Sequence, residues 1–381
     1  MEITSQDDGK RMRVGIIFGG RSGEHEVSLV SATTVINALD KNKYEVVPIG
    51  ITPEGKWLSS DRALQLLKSK AVVEQEPERF LVPEPRRRGL VSANGDINSP
   101  LHLDVVFPLV HGTFGEDGTL QGLLELTNIP YVGAGVLASA VGMDKIIQKQ
   151  LHEKAGLPIV KYVWFFSGEC KAYPKRVVAA AERKLKYPMF VKPANTGSSV
   201  GVSKARSRKE LIAAINVAVE YDRKVIIEQG VKNAREIECS VLGNDDPIAS
   251  VPGEVIPSKE FYDYDAKYVD GKSRTVIPAD LPKKVTKEIQ RIAVRAFTVL
   301  DGAGMARVDF LVTKKKLKVY LNEINTIPGF TSVSMYPKLW EASGISYPEL
   351  LDRLIEFAIE RHSQRSFLKT AYQPTSEWYK S

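Results

Sequence analysis

Two stretches near the C-terminus, GMARVDFLV (304–312) and KVYLNEINTIPGFTSVS (318–334), alternate polar and apolar residues. Side chains alternate between the faces of a strand, so Arg307 and Asp309 share one face while Val308 and Phe310 take the other. By the same count Glu323 and Asn325 share a face. A turn of roughly four residues at Lys314 to Leu317 folds the two strands into a hairpin that sets Asp309 about opposite Glu323. Two carboxylates and an amide oxygen are hard ligands. Held open to water, they suit Mg²⁺ carried in on a nucleotide's phosphates better than a closed protein cage. The chain is therefore expected to handle ATP.

Composition limits the alternatives. A chain of 381 residues, 43% hydrophobic and 26% charged, is long enough for two or three globular domains with real cores. Its formal charge of +7 sits partly in two short runs, Arg86 to Arg88 and Lys314 to Lys316. No recognition helix or aromatic platform accompanies them, so anionic small substrates are favoured over nucleic acid. Cys170 and Cys239 lie far apart without His partners, which signals neither a disulfide framework nor a zinc site and fits a reducing compartment. The first residues carry no apolar stretch after a basic start, and nowhere do about eighteen apolar residues run together. A cytoplasmic protein, neither secreted nor membrane-bound, is expected.

RVGIIFGG (13–20) reads as a buried strand, followed by a Gly-rich turn and a helix from Glu26. YEVVPIGIT and DVVFPLVHG add apolar runs interleaved with helical segments, the pattern of an α/β domain with a parallel sheet, here over 13–133 after a loose tail at 1–12. A second block, 134–231, holds a helix from Met143 to Ala155, strand YPMFVKPA, a Gly/Ser turn, helix Lys209 to Glu220 and strand KVIIEQ. A third, 232–367, holds strand EIECSVLG, a polar segment at 257–278, helix Lys284 to Leu300, the hairpin, and a closing helix from Tyr347 to about His362, with a tail at 368–381. A connection as long as 257–278 reads as a lid or binding loop.

Four places carry candidate chemistry. GGRSGEHE (19–26) opens a helix and offers backbone N–H groups, while the carboxylate of Glu26 argues against phosphate there and for an ammonium group; as a plain turn, Glu26 is only a favourable first-turn charge. In VKPANTGSSVGVSK, Lys192 ends an apolar strand and the turn after it can wrap N–H groups and hydroxyls around phosphate. Lys145 in GMDK reads, by itself, as a solvated helix lysine. His111 lies in a Gly-rich turn just past a buried strand, at the edge where parallel sheets bind ligands, and Glu116 and Asp117 read as caps of the next helix.

GGRSGEHEVSLVSA, HGTFGEDGTLQGLLE, MDK, VKPANTGSSVGVSK, FYDYDAKY, ARVDF and NEINTIPGFTSVSMYP, in this order and spacing, resemble the D-alanine–D-alanine ligases of the ATP-grasp superfamily over roughly residues 13 to 363. The resemblance implies an α/β ATP-grasp fold of three domains, an N-terminal parallel-sheet domain followed by two ATP-grasp domains with the nucleotide between them. It implies ATP-dependent joining of two D-alanines through a D-alanyl phosphate, for peptidoglycan precursor synthesis, by a homodimer that uses two Mg²⁺ ions, with Mn²⁺ as a substitute and K⁺ as an accessory ion. The alternative is a D-alanine–D-lactate ligase or another carboxylate–amine ligase of the superfamily.

Carried over residue by residue, the family pattern assigns Mg²⁺ to Asp309, Glu323 and Asn325, with Glu323 bridging the ions. Lys145, Lys192 and, on lid closure, Lys267 meet phosphates, with Ser198, Ser199 and Asn322 in the nucleotide-binding set. The strand VIIEQGV resembles an inter-domain hinge: Glu228 is expected near the adenine amine, Gln229 and Val231 beside the base, and Glu236 at the ribose. Gln229 and Gly230 stand where many members have Lys and a large aromatic residue. Arg307 and the N–H of Gly329 are expected at the developing oxyanion. Glu26 with His111 would bind the first D-alanine, and Ser334 and Met335 the carboxylate of the second. Ser198 and Tyr268, with Glu26, match a trio that pins the lid; Tyr268 is Phe in ester-forming relatives, which marks a dipeptide maker.

Overall fold

A computed structural model describes residues 11–70, 78–95, 99–257 and 274–372. The first sheet joins Tyr44–Ile51, Met12–Gly19 and Val105–Pro108 in parallel, with the short strand Trp57–Leu58 antiparallel at one edge. Val14, Ile16 and Phe18 enter one core and Ile17 the opposite one, so both faces are covered and the strand reads as an unbroken apolar run. The closing helix, Tyr347–Ser366, buries Leu350, Leu351, Leu354 and Ile355 in the same core as Val14 and Phe18. The end of the chain thus completes the hydrophobic core begun at its start.

The second sheet is antiparallel, in the order Ser203–Ala205, Met189–Pro193, Lys224–Gln229, Tyr162–Phe166. The third runs Arg274–Val276, Gly253–Ile256, Ala234–Gly243, Gly304–Thr313, Val319–Asn325, with helix Lys283–Val299 over one face. The expected hairpin is present. Arg307 faces Asn325 and Asp309 faces Glu323, and a bulge follows, because Phe310 pairs with Leu321 and leaves Asn322 over.

Two features differ from the sequence reading. The helix expected from Met143 to Ala155 is broken at Asp144: one helix ends at Met143, and Asp144 accepts the N–H groups of Ile146 and Ile147 at 3.0 and 3.1 Å to start another at Lys145. Strand Tyr162–Phe166, helices Ser167–Ala172 and Pro174–Lys184, and a three-stranded sheet between Arg79 and His102 had no sequence expectation. These elements are short and bury few side chains; helix Pro174–Lys184 buries only Val177, Val178 and Ala181. Lys267, Tyr268 and most of the expected lid lie outside the described residues, although its flanks pair antiparallel, Ile256 with Arg274.

Candidate active site

A cavity of about 1000 Å³ is lined by both antiparallel sheets and by turns of the first. On its carboxylate wall, the Nε and Nη2 of Arg307 each donate to Asp309 at 2.7 Å, and the Asn325 amide donates to Asp309 Oδ2 at 3.0 Å. Glu238 Oε2 lies 3.1 Å from Arg307 Nε, and Glu323 stands across the strand pair from Asp309. Strand alternation also puts Glu236 on this wall, two residues before Glu238. Hard oxygens of Asp309 and Glu323 suit a divalent cation, and Asn325 joins them by turning its amide oxygen, an orientation the hydrogen-bond network decides. Among the described residues no three His, Cys, Asp or Glu side chains form a cage, so a cation here would draw its remaining ligands from water or phosphate.

The cationic wall is built from two elements. Lys145 Nζ donates to the Thr196 carbonyl at 2.6 Å and its own N–H to that of Ala194 at 3.0 Å, tying the helix start to the Gly/Ser loop. In that loop Ser198 and Ser199 take φ of 44° and 61°, a left-handed backbone that is costly for side chains bearing Cβ and is met at ligand clamps. Lys192 Nζ sits 2.7 Å from Glu228 Oε2; burial pushes the ammonium's pKa down, but Glu228, Glu323 and Glu236 outweigh it and the net shift is upward. Burial likewise opposes ionisation of Glu228, yet Lys149 and Lys192 overcome it and hold the carboxyl down at about 2. Both Glu228 oxygens are thus engaged by lysines, and Glu228 lines the cavity.

The hinge carries its own explanation for Gly230. A Cβ there would meet the Pro188 carbonyl oxygen at 2.9 Å and Phe190 Cε2 at 3.1 Å, so Phe190 occupies the space an aromatic residue at 230 would need. Gln229 turns its side-chain oxygen to the Lys186 N–H at 3.0 Å. Val231, Glu236, Ser199 and Asn322 line the cavity.

At the amine end, one expectation is corrected. Glu26 is exposed on the solvent stripe of helix His25–Ala38 and does not line the cavity. Glu24, two residues earlier at the N-cap, does: it is 9% exposed and its Oε1 accepts from Ser198 Oγ. Its non-helical backbone (φ −114°, ψ 20°) aims it into the turn instead of along the helix. Gly112 and Gly197 make room for its carboxylate. His111 is buried, with Nδ1 3.1 Å from the Ile327 carbonyl and Nε2 3.1 Å from Ser31 Oγ. Glu116 does not cap the helix; its Oε1 accepts the Gly112 N–H at 2.9 Å and lies 3.7 Å from His111, while Asp117 takes the Thr119 N–H at 3.0 Å. Burial, with the Glu24 carboxylate nearby, raises the Glu116 pKa, and Glu116 outweighs burial to raise that of His111. Across the cavity Ser334 Oγ accepts the Thr331 N–H at 3.0 Å beneath Gly329, with Met335 starting the next helix.

Sequence reasoning missed Glu24, Glu238 and Lys149. Apolar Val30 shares the solvent stripe of the helix with Glu26 and Asn37, so no clear apolar periodicity marked which carboxylate faces outward.

Opposed acidic and cationic walls between two antiparallel sheets define a nucleotide-binding protein of the ATP-grasp class. Family models for the C-terminus and N-terminus of D-ala D-ala ligase match residues 151–356 and 13–134. A D-alanine–D-alanine ligase of Caldicellulosiruptor bescii is 51% identical over 359 residues, covering 94% of this chain and 98% of that protein. The solved D-alanine–D-alanine ligase of Coxiella burnetii superposes with a TM-score of 0.82 at 39% identity, covering 93% of this chain and 96% of that one. VanG D-Ala:D-Ser ligase from Enterococcus faecalis gives 0.81 at 37%, covering 92% and 100%. The chain belongs to the D-alanine–D-alanine ligase family.

Proposed function

We infer that the chain joins two D-alanines to D-alanyl-D-alanine at the expense of ATP, for cell-wall precursor synthesis. The observation that carries this is a single cavity holding the Arg307–Asp309–Glu323–Asn325 cluster, the lysines Lys145 and Lys192, and the buried carboxylate Glu24 beside Ser198. In the reaction, the first D-alanine's carboxylate attacks the γ-phosphorus and ADP leaves. The second D-alanine's amine then attacks the acyl carbon and phosphate leaves with its bridging oxygen.

Each step has a residue suited to it. Glu24 takes the place expected of Glu26, holding the first ammonium with His111 nearby. Lys145 and Lys192 meet phosphate oxygens, and Arg307, always protonated, with the Gly329 N–H faces the oxyanion. Ser334 and the backbone at Met335 receive the second carboxylate. Two Mg²⁺ ions held by Asp309, Glu323 and Asn325 would neutralise phosphate charge when bound. Mn²⁺ as a substitute, K⁺ as an accessory ion, the homodimer, and the lid roles of Lys267 and Tyr268 rest on resemblance, and the cytoplasmic setting and the three-domain division at 133 and 231 rest on the sequence reading. Among the described residues no helix is long and apolar enough to cross a membrane.

Because a D-Ala:D-Ser ligase shares the fold, the second substrate needs a direct test. Phosphate release from Mg-ATP is measured with D-alanine, L-alanine, D-alanine plus D-lactate, D-alanine plus D-serine, and no amino acid, with products identified by mass. Release coupled to D-alanyl-D-alanine and absent with L-alanine is expected. Mixed product dominated by D-serine or D-lactate would reassign the second site, and no release at all would refute the ligase reading.

A further inference from the structure

Strand Val319–Asn325, which carries Glu323 and Asn325, is the edge strand of its sheet, so its outward backbone groups need partners from elsewhere. Leu321 pairs with Ile159 and donates its N–H to the Pro158 carbonyl at 2.7 Å, and helix Lys145–Lys154 serves Asn322 and Ile324. Gln148 Oε1 accepts the Ile324 N–H at 3.2 Å, and its Nε2 donates to the Ile324 carbonyl at 3.3 Å and the Gly142 carbonyl at 2.7 Å. Lys149 Nζ donates to the carbonyl of the bulge residue Asn322 at 2.9 Å. Glu323 lies between the two residues so held. Lys149 also pairs with Glu228 Oε1 at 2.8 Å, and the other Glu228 oxygen holds Lys192.

Lys149 is 2% exposed and Glu228 3%. Burying such a pair carries a desolvation cost that an apolar pair of similar volume avoids, so covering a sheet edge does not by itself explain the charge. What the charge adds is a tie between three segments: helix, hinge strand and edge strand. We propose that Lys149 is a positioning residue for the nucleotide site, its ammonium locking Glu228, and through it Lys192, to the bulged strand that carries Glu323. Lys192 and Glu323 then stand on opposite walls of the cavity at a separation fixed by one buried cation. The inference rests on the ATP-dependent ligase reading, and Lys149 itself touches no substrate in it.

The test uses the full chain with Lys149→Met and with Lys149→Met/Glu228→Gln, the second leaving no carboxylate buried without its cation. Thermal midpoint, KM for Mg-ATP, KM for D-alanine and calorimetric binding of Mg-ADP are measured beside the wild type. The double variant is expected to fold, to raise KM for Mg-ATP and weaken Mg-ADP by about tenfold or more, the size of a lost hydrogen bond to a charged group, and to leave KM for D-alanine within about twofold. Wild-type nucleotide constants in either folded variant would overturn the proposal. So would activity that falls only with the folded fraction, or the failure of both variants to fold, each of which makes Lys149 purely structural. Wild-type protein that binds Mg-ADP yet releases no phosphate with D-alanine would sink the ligase reading while the binding comparison still judged Lys149.

Discussion

Gly197→Ala perturbs the amine end of the site at a single atom. A Cβ added there falls well inside van der Waals contact of Glu24 Oε2 and 3.3 Å from Glu24 Cδ. Gly197 has no positive φ, so alanine meets no backbone strain, and the clash must be relieved by Glu24. Withdrawal of the carboxylate by about 1 Å restores ordinary contact and separates it from Ser198 Oγ. Hydrogen bonds to a charged group are worth about 1.5–3 kcal/mol, so kcat/KM for D-alanine should fall roughly ten- to a hundredfold. The assay is initial phosphate release against D-alanine at saturating Mg-ATP, with the thermal midpoint recorded alongside. Glu24→Gln should follow Gly197→Ala in direction, whereas Glu26→Gln should behave as wild type because Glu26 is exposed. Unchanged kcat/KM in Gly197→Ala, or equal losses in the two glutamate variants, would refute the placement of Glu24.

Three further outcomes are expected. Glu323→Gln should fold normally but lose about a hundredfold or more in turnover and need more Mg²⁺ for half-maximal rate; wild-type Mg²⁺ dependence would remove Glu323 from the metal site. Gly122→Ala, inside helix Thr119–Thr127 with nothing within 4 Å of the new Cβ, should stabilise by about 0.5–1 kcal/mol, read as a higher thermal midpoint with unchanged kinetics. Glu228, held at about 2 in the fold against 4.5 as a free side chain, contributes stability that is fully present above pH 4.5 and lost as pH falls towards 2, about 3 kcal/mol at most. Denaturation midpoints of wild type and Lys149→Met/Glu228→Gln across that range should therefore converge as pH falls; parallel curves would exclude this coupling.

The hairpin was legible because its information is local: a period of two and a short turn suffice to bring Asp309 opposite Glu323. The bulge at Asn322 left no such mark, since an extra residue in a strand changes no residue type, and its carbonyl became visible only through Lys149. Glu24 and Glu26 are the same residue two places apart, and what separates them is the backbone at the junction: Glu24 precedes the first helical turn and points into the loop, while Glu26 belongs to the exposed stripe. Motif resemblance placed the segment correctly but did not settle which carboxylate within it turns inward.

Lys149 exposes a deeper limit. Four residues after Lys145 it shares that lysine's helix face, and a lysine one turn along a helix ordinarily reads as solvated. Its burial is decided by Glu228 and Asn322, both more than seventy residues away, so no local pattern contains it. The same holds for the cavity as a whole. Its lysines come from the helix start and the second sheet, its carboxylates from all three sheets' strands or turns, and the buried Glu228 and Glu24 are tolerated because distant segments supply their partners. Local sequence therefore specifies which groups can do the chemistry, while their protonation and aim are set by contacts that exist only once the sheets have come together.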